Sequence, residues 1–469
     1  MKEKNVNLIL LTLGIGTVLG SLNISMFNIA LPSMVTYFNS SLSTVQWLTS
    51  GYMLAAGFII PTSGYLGDHF GYKRVFCTAL FFVFILSIIG PLAWSIEVLI
   101  AVRILFGLCA GLLAPLSLAM LYKLLPASQQ TKGASIWGMA NMIGGIIPSV
   151  LSGVILSVTT WHFLMVFNIP FAVLALLGAM RILPKDEINA EETKKTKLDF
   201  VGFVLTSISS ITLLFGFSKI SAWGLSWKLA ICLLVGLGCL VIYVLRSWDK
   251  SDVLLNLQVF RHKRYAPSFI ASCVNSIAIY MVAFLMPLLF QSGLGVSPFL
   301  TGMIMLPCSI VSMIAMPVAS SLYPKIGEKS LTAVGVTVLL IGSAPFLFVN
   351  PATSAVFLAL AMCIRSIGLG TLNLVATNAP MSSIPPELSG HASSLTNWCH
   401  QMLNALIVGL TSSLIDIRLN NFGELTTENI AIAYTSTANI VMSISCCLLV
   451  LVLVLALKYF RTKEEIRQQ

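Results

Sequence analysis

Charge is scarce in this sequence, and scarcest where buried chemistry would need it. Only 9% of residues are charged, against about 25% in an ordinary soluble domain, which excludes a soluble globule. No Asp or Glu stands near the middle of any long apolar run; Asp68, Glu97, Asp199 and Asp416 fall at run ends or in loops. The five histidines are dispersed, with no pair at metal-ligand spacing, so no metal is expected. Neither a G-x-S-x-G elbow nor a Walker loop occurs, and no soluble domain is present to host ATP chemistry. The chain therefore reads as no enzyme, with no catalytic residues and no cofactor. The ten cysteines include no C-x-x-C pair, and only Cys446 and Cys447 adjoin. Lying mostly in apolar runs, they read as free buried thiols.

Hydrocarbon fills the space that charge leaves. With 57% hydrophobic residues and a mean hydropathy of +0.92, the chain is an all-α polytopic membrane protein. Fourteen apolar runs are long enough to cross about 30 Å of hydrocarbon as helices. They fall at 8–31, 46–66, 74–93, 98–122, 134–157, 163–182, 200–219, 228–246, 268–290, 299–321, 331–349, 354–377, 394–415 and 434–459. The first lacks a small-residue cleavage site and reads as a span, not a removable signal.

Loop charge tests that count. With both termini cytoplasmic, every loop Lys and Arg except Lys219, Lys228 and Arg418 falls on the inner side, leaving only Arg103 and Arg365 inside spans. This asymmetry also accounts for the net charge of +10 and removes nucleic acid as a partner. The mixed-charge stretch 181–199 reads as a solvated linker. The spans then divide into six, two and six: a bundle at 1–182, a linker with two added helices at 183–267, a second bundle at 268–459, and a tail at 460–469. An internal repeat supports the division, because 66–73 resembles 322–329, with Gly71 matching Gly327 and Lys73 matching Lys329. Arg103 and Arg365 each occupy the fourth span of their six. Two related halves enclosing a mid-membrane cavity are a transporter architecture.

The stretch 64–74, Gly-Tyr-Leu-Gly-Asp-His-Phe-Gly-Tyr-Lys-Arg, reads as a short cytoplasmic hinge. Gly64, Gly67 and Gly71 would permit close approach and a tight turn, Asp68 offers a carboxylate at a helix end, and Lys73 and Arg74 hold the inner side. The pattern G-x-L-x-D-x-x-G-x-[KR]-[KR] resembles the signature loop of the major facilitator superfamily. Further stretches resemble its fourteen-span drug:proton antiporter branch: Asn23, Asn28 and Pro32 on D-x-T-x-x-N-x-A-L-P; Trp47 and Tyr52 on W-x-x-x-x-Y; Pro287, Gln291, Gly295, Ser297 and Pro298 on the ninth-span motif; and Arg365, Gly368, Gly370, Gly390, His400 and Gln401 later in the chain. The resemblance implies the major facilitator fold, a bacterial cytoplasmic membrane location, a monomer, and export of small hydrophobic compounds such as drugs and antiseptics by alternating access against protons.

The departures from that pattern bear on mechanism. Asn23 stands where the branch carries its proton-binding Asp, and an amide does not titrate. Three readings stay open: Asn23 as a substitution mimicking a permanently protonated Asp; His400 as the proton carrier; or no buried acid at all, with facilitated transport, another ion or a rim acid. Asn23, Arg103 and His400 are thus the expected coupling path. Phe106 replaces the Gln of R-x-x-Q-G, and in the fifth span Ile147 replaces the Gly before Pro148, leaving Gly145, Pro148 and Gly153 as the expected packing seam. The expected substrate cavity comprises Asn28, Trp47, Tyr52, Asn141, Asn275, Tyr280, Gln291, Asn378, Asn397 and Gln401, amides and aromatics suited to bulky hydrophobic compounds. Lipid or metabolite export, a proton-independent facilitator and a non-transporting membrane sensor are the alternatives.

Overall fold

A computed structural model of the chain describes residues 3–125, 151–184, 199–224, 226–248, 257–384, 389–422 and 426–460, with isolated positions between 133 and 148. Among the described residues every regular element is helical, and twelve helices are long and apolar enough to cross a membrane. Hydrocarbon leaves backbone N–H and C=O groups no partner but each other, so such runs must close their bonds within one helix.

Two expected spans are not among those twelve. The fifth lies largely outside the described residues, being helical at 151–158. The second is described but segmented, as Trp47–Ile59, a 3-10 turn at Ile60–Thr62, and Ser63–Phe70. Pro61 lacks the N–H that an uninterrupted α-helix needs there. The first span also ends earlier than the sequence predicts. Its helix covers Glu3–Met26, a turn follows, and a short helix Leu31–Phe38 starts with Pro32 in its first turn, where a missing N–H costs nothing. Asn28 therefore sits in a turn, not in a helix.

The remaining spans are Tyr72–Ile89, Ile96–Leu124, the pair His162–Val166 and Asn168–Ile182, Phe200–Ser218, Trp227–Ser247, Tyr265–Leu288, Pro298–Ser343, Ala355–Ser382, Ser389–Asn420 and Thr427–Tyr459. Pro298–Ser343 is two spans in one run, bent where Gly327 takes φ 84° and ψ 165°. The second and fourth spans lie in backbone contact: a Cβ on Gly107 would meet the Tyr52 carbonyl oxygen at 2.5 Å, and one on Gly111 the Ala56 Cα at 2.7 Å. Small residues four apart permit that approach where no hydrophobic force drives helices together.

The added hairpin, Phe200–Ser218 with Trp227–Ser247, packs across a seam. Its first helix touches both the second and the thirteenth spans. Phe203 meets Phe58 at a ring separation of 4.0 Å, and the Ser413 hydroxyl donates to the Phe217 carbonyl at 3.1 Å. At the hairpin's basic end Asp199 caps Gly202 N–H at 2.9 Å and accepts from Arg246 at 2.7 Å, fastening the start of one helix to the end of the other.

Candidate functional site

Arg103 is wholly buried in the fourth span. A guanidinium there is costly unless it finds acceptors, and this one is met by backbone and rings. Its Nε donates to the Leu48 carbonyl at 3.0 Å and its Nη2 to the Asn23 carbonyl at 2.8 Å. Phe27 and Tyr52 present ring faces at 4.0 and 4.4 Å, with Phe106 at 5.9 Å. Phe106, standing where the resemblance places Gln, thus adds a ring face in place of an amide. The Nη1 atom has no hydrogen-bond partner in the protein.

The Asn23 side chain turns elsewhere. Its Nδ2 donates to the Leu19 carbonyl and to Asn168 Oδ1, both at 2.9 Å, and Asn168 Nδ2 returns a bond to Asn23 Oδ1 at 3.2 Å. Sequence reasoning missed Asn168, since one amide opening the sixth span matches no motif. Tyr52, also buried, donates to the Gly20 carbonyl at 2.9 Å. Arg365 repeats part of this arrangement: its Nη2 reaches the Ala278 carbonyl at 3.3 Å and its Nε the Ser343 hydroxyl at 3.2 Å. Each arginine therefore grips a backbone carbonyl of another helix, Arg103 that of Asn23 in the first span and Arg365 that of Ala278 in the ninth.

A cavity of about 440 Å³ lies between the end of the first span and spans nine, ten, twelve and thirteen. Of the residues expected in the site, Asn28, Asn275, Tyr280 and His400 meet on its wall. Asn23, Arg103, Trp47, Tyr52, Gln291, Asn397 and Gln401 do not line it. His400 Nε2 lies 3.1 Å from the Ser272 hydroxyl, which in turn donates to the Ala376 carbonyl at 2.8 Å. Ser276 donates to Asn404 at 3.0 Å, while Asn275 Oδ1 is buried without a partner. Ser272, Asn275 and Ser276 share one helical face by their spacing, and that spacing was the available signal for the two serines.

The basic-face hinge is narrower than the sequence suggests. Helix continues through Ser63–Phe70 and resumes at Tyr72, leaving Gly71, at φ 94° and ψ 133°, as the only non-helical residue between them. Close approach does not explain Gly64, which is exposed and where an added Cβ would have nothing within 4 Å, whereas one on Gly67 would meet the Tyr72 ring at 2.6 Å. Asp68 accepts from the Tyr72 hydroxyl at 2.9 Å and from Lys123 at 3.2 Å, with the Lys123 ammonium 3.9 Å from the Tyr72 ring centroid. Lys73 donates to the carbonyls of Met180, at 3.0 Å, and Leu183, placing a cation at the C-terminus of the sixth span. Arg74 is exposed and borders an apolar groove with Phe70, Phe82 and Leu108.

At the opposite face the two sets of spans are tied together. Ser43 N–H donates to Asp416 Oδ2 at 2.9 Å, and Gln291 Nε2 to the Ile29 carbonyl at 2.9 Å. A Cβ on Gly153 would meet the Pro298 carbonyl oxygen at 2.8 Å, so the fifth span lies against the tenth there. Pro148 is helical and buried. Trp47 faces Phe215 of the added hairpin at 6.3 Å. Gln401 abuts Gly57 with a buried, unpartnered Oε1, and Asn397 is exposed. Asn141, Gly145, the Asn378 side chain, the 185–198 part of the linker and the tail beyond Phe460 lie outside the described residues.

The family model of the Major Facilitator Superfamily matches residues 13–408. The lincomycin resistance protein LmrB of Bacillus subtilis (strain 168) is 26% identical over 410 residues, covering 87% of this chain and 85% of the relative. The putative multidrug resistance protein MdtD of Salmonella heidelberg (strain SL476) is 24% identical over 457 residues, covering 97% and 94%. A crystal structure of a D-xylose-proton symporter superposes with a TM-score of 0.70 at 15% identity, covering 98% of this chain and 99% of the other.

Proposed function

This chain belongs to the Major Facilitator Superfamily, and on that ground we propose that it exports small hydrophobic compounds, drugs and antiseptics among them, by alternating access in exchange for protons. It is a multi-pass transporter of the bacterial cell membrane, similar along most of its length to multidrug resistance proteins. In this reading 1–182 and 268–459 are two six-span halves of a monomer, joined by 183–267, and the turns at Gly71 and Gly327 bend as the halves rock.

The observation that carries the reading is the cavity. Its wall mixes Ile29, Ile279, Ala283, Met305 and Leu369 with neutral hydrogen-bonding groups from Asn28, Asn275, Ser276 and Tyr280. Such a lining takes an apolar body and fixes a few polar atoms. The buried Asn275 oxygen, without a protein partner, is an acceptor for a substrate N–H or O–H. His400 is the imidazole on this wall, with Nε2 3.1 Å from the Ser272 hydroxyl, and is the proton carrier in this scheme. A second reading, a proton-independent facilitator, draws on the lining residues too, since none of those described is a carboxylate.

Proteoliposomes separate the two. Lincomycin, the compound named for one relative, and a hydrophobic dye are loaded as test substrates, and proton movement is followed with a pH indicator. The antiport reading requires substrate-driven proton flux that His400→Gln abolishes. Substrate movement without proton flux in the parent chain supports the facilitator, and no movement of any substrate tried defeats both.

A further inference from the structure

A second chamber of about 450 Å³ lies between the added hairpin and the ninth and thirteenth spans. Its wall includes Leu213, Leu240, Phe269, Ile277, Trp398 and Met402. Ser209 and Ser210 also line it, but the Ser210 hydroxyl is spent on the Thr206 carbonyl at 2.7 Å. Phe269 to Ile277 traverses about 12 Å at the helical rise, close to one leaflet's hydrocarbon depth of about 15 Å. Ile270 lines the chamber and is 47% exposed, so the opening faces bilayer along the ninth span.

The basic end of this chamber carries a different chemistry. Leu257 and Phe260, which close it, belong to the 3-10 turn Leu257–Arg261. Arg261, Lys263 and Arg264 follow directly and are all exposed. Arg246 stands two residues beyond Val244, another wall residue, and its partner Asp199 is already engaged at 2.7 Å. An apolar slot about 12 Å long thus ends beside a cluster of cations, the pairing of chemistries that an anionic lipid presents in its chain and headgroup.

We propose that this chamber is a binding site for an anionic phospholipid of the leaflet on the basic face, with an acyl chain between the hairpin and spans nine and thirteen and the headgroup held by Arg261, Lys263 and Arg264. Lipid here packs on the back of the wall that carries the substrate cavity. Ser272 and His400 face that cavity, and their chain neighbours Cys273 and Cys399 face the chamber. The bound chain supports spans nine and thirteen from behind, which gives the added hairpin a role: it completes a lipid slot.

Trp398 in the wall reports occupancy directly. The full-length purified chain is placed in phosphatidylcholine vesicles into which phosphatidylglycerol with brominated acyl chains is titrated, and brominated phosphatidylcholine serves as the comparison. The protein has eight tryptophans, so the difference between parent and Trp398→Phe isolates the signal of interest. Expected is Trp398-dependent quenching at roughly tenfold lower mole fraction for the anionic lipid, an advantage weakened by about 0.5 M salt. The triple change Arg261→Gln, Lys263→Gln, Arg264→Gln, all at exposed positions, should bring the anionic curve onto the neutral one. Val274→Phe, which fills the slot, should lower Trp398 quenching by both lipids. Equal curves for the two lipids in the parent chain would mean hydrocarbon filling without headgroup recognition. That result, an absence of Trp398-dependent quenching, or an anionic advantage that survives the triple change would each overturn the proposal.

Discussion

Asn23 and Asn168 hold each other through two amide hydrogen bonds, of 2.9 and 3.2 Å, inside the first bundle. Both are wholly buried, and each amide acts as donor and acceptor at once. The pair is neutral, so it needs no counter-charge, and Arg103 is left to bond the Asn23 backbone instead of its side chain. The arrangement explains how the position can lack an acid while the arginine beside it is kept.

Asn23→Asp tests the coupling. The carboxylate loses the donor that now reaches Leu19 and Asn168, at a cost of about 1 to 3 kcal/mol, but it gains a cation nearby whose Nη1 has no partner. A modest fall in thermal stability in detergent is expected, together with a proton flux in proteoliposomes that exceeds the parent chain's and persists when His400→Gln is added. An unchanged flux would separate position 23 from coupling.

Arg103→Ala removes the groups that join the first, second and fourth spans. Two carbonyl contacts and the ring stacking are lost, and a cavity is left; a loss of about 3 to 5 kcal/mol is expected. Arg103→Lys retains charge but not the fork that reaches Leu48 and Asn23 together, and should recover only part of it. Unfolding in a denaturing detergent series ranks the variants, and a lysine variant as stable as the parent would show that charge alone suffices.

Gly71→Ala and Gly327→Ala place a Cβ at φ values of 94° and 84°. Each should cost about 1 to 2 kcal/mol, and transport should slow more than stability falls if these turns bend during the cycle. Gly64→Ala is the control, being helical and open to space, and should be near neutral. Initial uptake rates in everted vesicles, normalised to folded protein, compare the three.

Asp416→Ala removes the acceptor for the Ser43 N–H at the face opposite the basic loops. A hydrogen bond to a charged group contributes about 1.5 to 3 kcal/mol, enough to shift a closed-to-open ratio by about tenfold or more. Labelling of a cysteine placed at Asn28 by a membrane-impermeant maleimide should speed up accordingly. Labelling at the parent rate would show that the Gln291 to Ile29 contact closes this end without help.

Much of this organisation was legible because membrane burial writes itself in composition. Long apolar runs, loop cations on one side and a glycine-rich charged stretch are all enforced locally, and the twelve membrane-length helices and a tight turn within 64–74 follow from them, though not which of its three glycines turns. The breaks at Pro61 and after Met26 were masked by apolar side chains on both sides, since hydropathy does not register a missing N–H. The site was less legible. Asn275, Tyr280 and His400 could be nominated as polar groups in spans, but which of them share a cavity depends on helix rotation and packing. Arg103 drew attention as a charge on the expected coupling path, but its enclosure by the rings of Phe27, Tyr52 and Phe106 depends on how the first, second and fourth spans pack. Asn168 carried no signal because its partner lies 145 residues away.

The turns at Gly71 and Gly327 make the same kind of bond with the letters exchanged. Across Gly71 a tyrosine on the later helix, Tyr72, donates back to Asp68 on the earlier one; across Gly327 the earlier helix supplies Tyr323 and the later one the acceptor, Glu328. An alignment of the two stretches on their glycines pairs Gly67 with Tyr323, Asp68 with Pro324 and Tyr72 with Glu328, scoring three mismatches where the chemistry agrees. Likeness between the two turns is therefore better sought in donor and acceptor graphs than in residue identity, because a swap of roles erases the letters and spares the bond.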